Sequence, residues 1–418
     1  MDYVSLKKSF YSDPTSERFE HAQALHMTRL MSESTFRTGV IVGDDELFLA
    51  VPRELSLLND RVLRHEHVIA THVQMLPPVA QWALVRGLVV DEVVSTNDLE
   101  GVYSTRRQIN ELLQRSPTDT DPVGQKRFRE LARLYLDLYG NAPERPSTVE
   151  DIRSIYDRVM SGEPLDERHK PDGKIFRRDG VEIYAPNGKM VHKGIEPERR
   201  IIEMVEDMIA IVNSEDIPET YSAIMGHFIF EYTHPFYDGN GRTGRYLLAL
   251  HLSGPLSIPT SLSLSRVLAE NRGAYYKSFR EAEHPLNHGE LTSFVMNILE
   301  NVSVAQDELD EELARKMEQH QGALDRLLEF QDSHGLSDKE TQAVYFLTLM
   351  QLFAAFPDST LTELADHMEL STQQARVHTK RLESKGVIVA TNKRPLRFVL
   401  SDEAISQLDV ERSQSVGR

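Results

Sequence analysis

The segment His234–Arg245 holds, within twelve positions, the residue types that phosphate binding and proton transfer need. Asp238 offers the hard carboxylate oxygen that a phosphate-bound Mg²⁺ takes from proteins. Arg242 and Arg245 are three positions apart, so both guanidiniums can reach one polyphosphate from a single helical turn. His234 provides an imidazole that can accept a proton from an incoming hydroxyl. Together these residues predict a site that binds a polyphosphate and brings a hydroxyl to it.

Two glycines in the same segment indicate how its main chain binds phosphate. Gly239 and Gly241 let the backbone turn its N–H groups inward, and no Cβ obstructs an approaching anion. The helix predicted for 242–252 opens at Asn240–Gly241 and points its positive dipole end at the same place. Phe236 is most simply explained as a core residue that anchors the loop.

Two other interpretations of 239–244 (GNGRTG) are disfavoured by its surroundings. The sequence formally matches G-x-G-x-x-G, but dinucleotide folds place that motif directly after a strand. Residues 220–232 instead show the i, i+3, i+4, i+7 apolar pattern of an amphipathic helix. Asp-Gly and Asn-Gly are hairpin-turn dipeptides, but hairpins need alternating strands on both sides, and both flanks here are helical in period.

With every fixed position present, 234–245 (HPFYDGNGRTGR) resembles the Fic-family motif H-x-F-x-[DE]-G-N-G-R-x-x-R. The resemblance extends over roughly 146–300 and into the N-terminal helices. It implies a mainly α-helical fold, with a Fic (Fido) helical core and a β-hairpin flap. It also implies transfer of AMP from ATP to a Ser, Thr or Tyr hydroxyl of a protein target, with release of pyrophosphate. Doc-type kinases of the same superfamily replace the second loop glycine and the first arginine, so Gly241 and Arg242 favour nucleotidyl transfer.

The resemblance assigns roles residue by residue. It makes His234 the general base and Asp238 the Mg²⁺ ligand, with ATP as the nucleotide substrate. A later Tyr pair matches family positions near the nucleoside, which favours a ligand role; the alternative is that both are half-buried helix residues. Glu283 stands where the family often has an asparagine. The nucleotide-binding residues implied are Asp238, Gly239, Asn240, Gly241, Arg242, Thr243, Gly244, Arg245, Tyr275 and Tyr276.

The segment 173–183 (GKIFRRDGVEI) is similar to the family's flap, which lies over the target side chain. Taken alone, the alternation of Val181 and Ile183 predicts only a short hairpin among helices. The flap residues that the resemblance implies are Phe176, Arg177, Val181, Glu182 and Ile183.

Residues 96–101 (TNDLEG) resemble the family's inhibitory motif, [ST]-x-x-x-E-[GN]. This implies that Thr96, Glu100 and Gly101 are regulatory and that a helix near 95–113 is inhibitory, with the Glu100 carboxylate forming a bidentate pair with Arg245. A second explanation is a capping box, with Asn97 as N-cap and Glu100 at N3. The two explanations are compatible.

Helical periodicity, loops and linkers predict the order of the domains. Short strands are expected at 38–42 and 47–51, a helix is expected to start at Ser147 or Thr148, and separate helices are expected at 290–300 and 302–330. The predicted regions are an N-terminal region (1–145), the catalytic core (146–300), a helical linker (301–338), a winged helix-turn-helix (339–402) and a tail (403–418).

The winged helix is predicted from three helices (339–355, 361–368 and 372–385) followed by β runs at 387–390 and 397–400. Its residues 371–398 carry seven Lys or Arg against one Glu, a net +6, so the rest of the chain carries −24. This basic island favours DNA contact through 372–394, in particular by Gln373, Gln374, Arg376, Lys380 and Arg381. A protein-interaction or dimerisation module remains the alternative, because winged helices serve both purposes.

The chain has 418 residues, a formal net charge of −18 and no cysteine. The absence of cysteine excludes disulfides, thiolate catalysis and Cys-ligated metal centres. The start lacks an apolar signal region, and the most apolar helical stretch, 345–356, is too short to span a bilayer, so we expect a cytoplasmic protein with no membrane partner. The sequence leaves the oligomeric state open, a homodimer included.

Two further functions fit the same residues. One is a DNA-binding regulator that uses its nucleotide site only for sensing. The other is a hydrolase that removes AMP from a modified protein, with Glu100 positioning the water.

Overall fold

The structure is a computed structural model that describes residues 3–114, 125–141, 143–164, 166–184, 188 and 190–411. It is mainly α-helical, as predicted from the sequence. The chain divides into two compact units, one made of 1–67 with 91–307 and the other of 68–90 with 308–418. Within the described part of the chain, every helix is too short or too polar to cross a membrane.

The first unit contains most of the helices and two antiparallel hairpins, β1–β2 and β3–β4. Helices α3, α4 and α14 continue into the residues of the second unit. The elements in chain order are α1 (Leu6–Ser12), α2 (Arg18–Leu30), β1 (Thr35–Val42), β2 (Asp45–Ala50), α3 (Arg53–Met75), α4 (Pro78–Leu99), α5 (Arg106–Leu113), α6 (Lys126–Gly140), α7 (Val149–Val159), β3 (Glu182–Tyr184), β4 (Met190–Lys193), α8 (Glu198–Val212), α9 (Glu219–Thr233), α10 (Asn240–Leu252), α11 (Ile258–Ser261), α12 (Leu264–Glu270), α13 (Arg272–Ala282) and α14 (Thr292–His334), with short 3₁₀ turns at Glu167–His169 and Pro285–Asn287.

The core of the first unit is built around α9 and α10. Every residue of α10 is buried, and α9 buries nearly all of its length against α8 and α10. A helix that is apolar on all sides must lie inside the protein, and this explains the position of α9. The loop between α9 and α10 therefore starts and ends on rigid, central helices.

Local sequence explains where α7 begins. Thr148 caps the helix by accepting from the Asp151 N–H, and the Asp151 carboxylate accepts from the Thr148 N–H in return. This reciprocal pair is a capping box, which satisfies two N–H groups that a helix start leaves free. The helix start predicted at Ser147 or Thr148 is confirmed, with Thr148 as the cap.

Residues 339–402 of the second unit form the three helices and then the two β runs in the predicted order, and a short strand at 359–360, which was not predicted, precedes the second helix. Its core comes from these elements and from parts of the long helices, with residues such as Leu347, Leu364, Leu382 and Phe398 buried together. The sheet order is β5-β7-β6. The elements are α15 (Asp338–Phe353), β5 (Ser359–Thr360), α16 (Leu361–His367), α17 (Thr372–Ser384), β6 (Ile388–Lys393), β7 (Leu396–Leu400) and α18 (Asp402–Leu408).

The architecture differs from the prediction in three places. The linker predicted for 301–338 is not separate, because 292–334 form the single helix α14; no Gly or Pro interrupts 292–321. The predicted tail begins with α18, and 412–418 lie outside the described residues. The helix predicted near 95–113 is two helices, since α4 ends at Leu99 and α5 begins at Arg106.

Candidate functional site

The α9–α10 loop holds its shape through its own main chain and one asparagine. His234 ends α9 in the left-handed region, with φ at 50°. Gly239 starts α10 with φ at 78°, a conformation that favours glycine. The Asn240 side chain accepts from the Phe236 N–H at 2.9 Å and donates to the Phe236 carbonyl at 2.8 Å. The loop is thus fixed at both ends before any ligand binds.

Phe236 anchors the loop in the core, as its sequence position suggested. Its ring is fully buried and stacks on Tyr156 at a centroid distance of 3.6 Å. Phe176 meets the same ring edge-on at 5.4 Å. Phe176 is itself fully buried, so it supports the loop from below and lies outside the hairpin.

The hydrogen bond of His234 fixes its tautomer. Nδ1 lies 3.3 Å from the Glu231 carbonyl, which can only accept, so Nδ1 carries the proton and Nε2 keeps a free lone pair. Burial and, to a smaller extent, the nearby His192 together lower the pKa of His234 to about 4. His234 is therefore a neutral imidazole at pH 7, the form that can accept a proton.

His192 and Glu283 form an ion pair that the sequence did not reveal. His192 Nδ1 lies 2.9 Å from a Glu283 carboxylate oxygen, and Nε2 lies 2.8 Å from the Tyr232 carbonyl. Burial alone would lower the pKa of His192, but the hydrogen bond and charge of Glu283, the Tyr232 carbonyl and the charge of Glu231 together outweigh burial and raise it. Both ring nitrogens face acceptors, so we assign an imidazolium here, 6.2 Å from the ring of His234.

Arg177 lies beneath the site and does not belong to the flap. Its side chain is fully buried and donates to four main-chain carbonyls, those of Asp179, Ile195, Thr233 and His234. The bond from Nε to the His234 carbonyl measures 2.8 Å. Arg177 therefore holds the backbone that orients the imidazole. The sequence pattern of a hairpin could not predict these hydrogen bonds.

The predicted hairpin is present as β3 and β4, although 185–187 and 189 lie outside the described residues. Ile183 pairs with His192 across the hairpin. Val181 precedes β3, and Glu182 is its first residue, on the exposed side. Of the five predicted flap residues, Ile183 reaches the wall of the cavity described next.

A cavity of about 350 Å³ opens beside His234. This volume lies within the range of small-molecule sites. Its wall combines apolar surface with charged groups from α9, α10, α13, the hairpin and the end of α4; the chemically active members are Glu100, His192, Glu231, His234, Arg245, Tyr275 and Tyr276.

Arg245 is 2% exposed, and its guanidinium binds Thr96 in the last turn of α4 and Glu100 just after it. Nη2 donates to Oε1 of Glu100 at 2.7 Å and to the Thr96 carbonyl at 3.1 Å, and Nε donates to the Thr96 hydroxyl at 2.8 Å. Burial would raise the pKa of Glu100, but the Arg245 guanidinium reverses this and lowers it. The pair is a charged one with a single hydrogen bond. The bidentate geometry expected from the sequence is wrong, because Thr96 takes the other contacts.

The turn that carries Glu100 is tied to α13. Tyr276 donates to the Leu99 carbonyl at 3.1 Å, and Arg272 pairs with Asp98 at 2.8 Å. Gly101 closes the turn with its N–H on the Asp98 carbonyl. A side chain at Gly241 would place its Cβ 2.1 Å from Oε1 of Glu100, so glycine there is what lets the carboxylate approach.

Asn97 is not a helix start. It lies inside α4, fully buried, with Nδ2 3.3 Å from the Ser104 hydroxyl, and its carbonyl accepts from the Val102 N–H. The capping-box explanation of 97–100 is therefore wrong, because the apolar run from Pro78 carries the helix through to Leu99.

Arg242 and Asp238 lie away from the cavity wall. Arg242 is buried and forms an ion pair with Glu163, which also binds Arg127 at 2.7 Å. Asp238 is exposed, and its Oδ1 accepts from the Gly239 N–H at 2.7 Å. One exposed carboxylate beside a phosphate-type loop fits Mg²⁺, which is commonly held by one or two carboxylates together with substrate phosphates.

Tyr275 forms the floor behind Arg245. It is 1% exposed, and its hydroxyl lies 2.8 Å from Nε2 of His227. The other nitrogen of His227 faces the Gly244 carbonyl at 3.1 Å. Burial lowers the pKa of His227 to about 3, so it is neutral and accepts from the tyrosine. Thr243 is fully buried beside these groups.

Glu231 is a cavity carboxyl that the sequence did not single out. It lies one helical turn before His234, and its Oε1 is buried with no hydrogen-bond partner. Burial raises the pKa of Glu231 to about 7. Its position three residues before the histidine, on an otherwise apolar helix, was the signal that could have found it.

Residues 146–252 match the model of the Fic/DOC family. The chain is 32% identical over 152 residues to protein adenylyltransferase fic-1 of Caenorhabditis elegans, and 39% identical over 158 residues to a probable protein adenylyltransferase of Aquifex aeolicus. These stretches are 35% and 36% of this chain, and 26% and 43% of the relatives' lengths.

The fold also has a solved counterpart. The crystal structure of a Fic family protein from Desulfovibrio desulfuricans G20 superposes with a TM-score of 0.52 at 17% identity, covering 84% of this chain and 97% of that one. At this identity the similarity concerns the fold. Taken with the family match over the α7–α10 segment, it shows that residues 146–252 form a Fic domain.

Proposed function

We propose that this chain is a protein adenylyltransferase, which moves AMP from ATP to a Ser, Thr or Tyr hydroxyl of a protein target. The observation that carries the proposal is the neutral His234 at the cavity, with its Nε2 lone pair free and its backbone held by Arg177. The relatives named as adenylyltransferases support the same chemistry.

In the proposed step, the target hydroxyl oxygen forms a bond to the α-phosphorus of ATP. The bond from that phosphorus to the bridging oxygen of pyrophosphate breaks, and pyrophosphate leaves with the electron pair. Nε2 of His234 takes the hydroxyl proton. The N–H groups at the start of α10 and the Arg245 guanidinium are placed to stabilise phosphate charge.

Mg²⁺ would be held by Asp238, together with the nucleotide phosphates. When bound, it would neutralise phosphate charge and orient the leaving pyrophosphate. Asp238 itself contributes an exposed carboxylate that is already fixed by the Gly239 N–H.

We further propose that the enzyme is autoinhibited by Glu100. Arg245 is the arginine of the loop that faces the cavity, and Glu100 occupies its guanidinium there. A γ-phosphate would have to displace this carboxylate to bind Arg245. ATP bound without that contact would leave its α-phosphorus out of line with the hydroxyl.

The experiment is incubation of the full chain with α-labelled ATP and Mg²⁺. It compares the Glu100→Gly variant with the double variant Glu100→Gly, His234→Ala. Loss of the imidazole should reduce label transfer to protein by about 10²–10⁴ while ATP binding persists. His169→Ala, an exposed histidine outside the cavity, is the matched control and should transfer normally.

Other outcomes of the same assay identify the alternatives. Nucleotide that binds but never becomes covalent would favour a sensing site. The hydrolase would be favoured if wild type released label from a pre-modified target and a variant without Glu100 did not. The ionised Glu100 carboxylate could then be the group that orients water.

A second candidate activity, DNA binding, is favoured by the surface of α17 and the β6–β7 turn. Arg376, Lys380, Lys393 and Arg394 are exposed there. Three other members of the basic island have ion pairs within the protein: Arg397 with Asp358 at 2.8 Å, Lys385 with Glu340 at 3.4 Å and Arg381 with Glu340 at 4.0 Å. The charge available to phosphates is thus smaller than the sequence suggests.

DNA binding is tested by titrating duplexes at several salt concentrations. The double variant Arg376→Ala, Lys380→Ala should lower the slope of log K against log salt by about one unit per lost phosphate contact. A control at Arg397 is unsuitable, because that side chain is buried. Wild-type binding with no salt dependence would favour a protein-interaction module.

A further inference from the structure

A second cluster of metal-ligating side chains lies in the first unit, apart from the nucleotide cavity. His26 on α2, Asp45 at the start of β2 and His288 before α14 each offer one ligand atom, and these atoms lie within 4.8 Å of one another. The three residues are remote in sequence, and no motif connects them. Their meeting is a product of the fold.

The distance between Asp45 and His288 already suits a metal. Oδ1 of Asp45 lies 3.2 Å from Nδ1 of His288. Metal–ligand bonds of about 2.0–2.2 Å in a tetrahedral site separate neighbouring ligands by roughly 3.3 Å. A small side-chain rotation of His26 would complete the set.

His26 is the buried member and has a nitrogen without a partner. It is 8% exposed, and its Nδ1 has no hydrogen bond. Buried ring nitrogens are rarely left unpaired without a reason.

The surrounding structure holds the cluster in place. The Phe48 N–H donates to the Gly289 carbonyl at 3.1 Å, and the Leu291 N–H donates to the Phe48 carbonyl at 2.9 Å. These bonds fix the His288 turn against β2. One turn along α2 from His26, Arg29 pairs with Glu290 at 2.8 Å.

His288 also adopts an uncommon backbone conformation. Its φ is 48°, in the left-handed region, which few residues other than glycine occupy, although histidine does so more often than most. Such conformations cluster at functional sites, where the surrounding structure imposes them. Here it turns the His288 side chain toward Asp45 and His26.

We propose that His26, Asp45 and His288 bind a divalent transition-metal ion, with Zn²⁺ as the best match. Two imidazoles and one carboxylate are a common zinc donor set, with water in the fourth position. Asp45 and His288 are half-buried, so the ion can enter from solvent. The site would join α2, β2 and the turn before α14.

The test is equilibrium dialysis of the EDTA-treated full chain against Zn²⁺, with metal counted per chain, and the visible spectrum after Co²⁺ substitution. Wild type should bind one ion, and Co²⁺ should give the intense bands of four-coordination. His288→Asn should weaken binding by about 100-fold or more, since even second-shell partners contribute 10–100-fold. Asparagine tolerates a left-handed φ, so this variant should fold.

Two further variants decide the outcome. Asp45→Asn removes the carboxylate charge while keeping its shape, and should also weaken binding. His21→Asn, on the same helix and paired with Asp13 at 2.7 Å, controls for non-specific binding by a surface histidine and should bind as wild type does. Equal Zn²⁺ binding by wild type and His288→Asn, or none by wild type at micromolar Zn²⁺, would overturn the proposal and leave an ordinary Asp45–His288 hydrogen bond.

Discussion

Glu100 and Arg245 meet at 2.7 Å at the edge of the cavity beside His234, although they are 145 positions apart in the chain. The guanidinium is 2% exposed, whereas the carboxylate is 29% exposed. The arginine is thus fixed in place, and the carboxylate is the partner that can leave. A ligand anion entering the cavity would compete with Glu100 for a cation that is already in position.

Replacing Glu100 with glycine should therefore increase AMP transfer, including self-modification, on the order of 10²-fold. Small misplacements of reacting groups have effects of about this size, and the change removes the cause of one. The measurement is the initial rate of transfer from α-labelled ATP.

The double variant Glu100→Gly, Arg245→Ala provides the control, because it removes the phosphate contact that Glu100 had blocked. Its rate should return toward that of wild type. A folded Glu100→Gly protein no faster than wild type would mean that Glu100 serves only to hold the end of α4.

The pH dependence of transfer should show a base with a low pKa. Because the pKa of His234 is about 4, the imidazole stays neutral down to about pH 5. In the Glu100→Gly background, kcat/KM should show no fall assignable to His234 between pH 8 and pH 6.

Glu231 is the group that could imitate such a fall, since its pKa is about 7. The profile should therefore be repeated with Glu231→Gln added. A limb that disappears in this variant belongs to Glu231. A limb near pH 6.5 that persists would contradict the buried, neutral state of His234.

The loop 234–245 shows how far sequence reasoning reaches. Its turn, its glycines and the helix after it were predictable because the information is local. The partners of the loop were not, because Arg177, His192 and Glu163 come from segments whose approach depends on the packing of helices. The pairing of Arg245 with Glu100 was anticipated through the family resemblance, but its geometry depended on Thr96, which takes two of the guanidinium contacts.

The fold shows the same division. The capping box at Thr148 and the elements of 339–402 were predictable from caps and periodicity. The length of α14 was not anticipated, although no Gly or Pro interrupts 292–321. The sequence predicts one helix near 95–113 and not the turn at Glu100. The turn depends on Asn97 being buried and bonded to Ser104, which no local pattern indicates.

Glu163 should be essential for stability. It is 6% exposed and forms ion pairs with Arg242 and Arg127, of which Arg242 is 5% exposed. Glu163→Ala leaves a buried guanidinium without its counter-charge, so it should lower the free energy of unfolding by about 3–5 kcal/mol.

Chemical denaturation of three variants distinguishes the effect on stability of losing the Glu163 charge from the effect of a substitution as such. Glu163→Gln keeps an acceptor and should lose less stability than Glu163→Ala. Glu206→Ala, on the exposed face of α8, should change stability by no more than about 0.5 kcal/mol. If Glu163→Ala matched Glu206→Ala, the ion pair with Arg242 would contribute nothing.

Glu92 should make stability depend on pH in an unusual direction. It is 1% exposed on α4, and it accepts from the Ser265 N–H at 3.2 Å. Burial raises the pKa of Glu92 to about 7, against 4.5 ordinarily. The folded state therefore holds this proton more tightly than the unfolded state does, so the stability that Glu92 contributes is present below pH 4.5 and is lost as pH rises to about 7.

In the whole protein, buried histidines make stability change with pH in the opposite direction, because burial lowers the pKa of His227 and His251 to about 3. The effect of Glu92 must therefore be measured as a difference between wild type and Glu92→Gln, by denaturation at pH 5 and pH 8. The stability of wild type relative to Glu92→Gln should fall on the order of 3 kcal/mol across this window. Glu206→Gln, exposed on α8, should show a difference that does not change with pH. An equally constant difference for Glu92→Gln would mean that Glu92 is ionised throughout and that the Ser265 hydrogen bonds outweigh its burial.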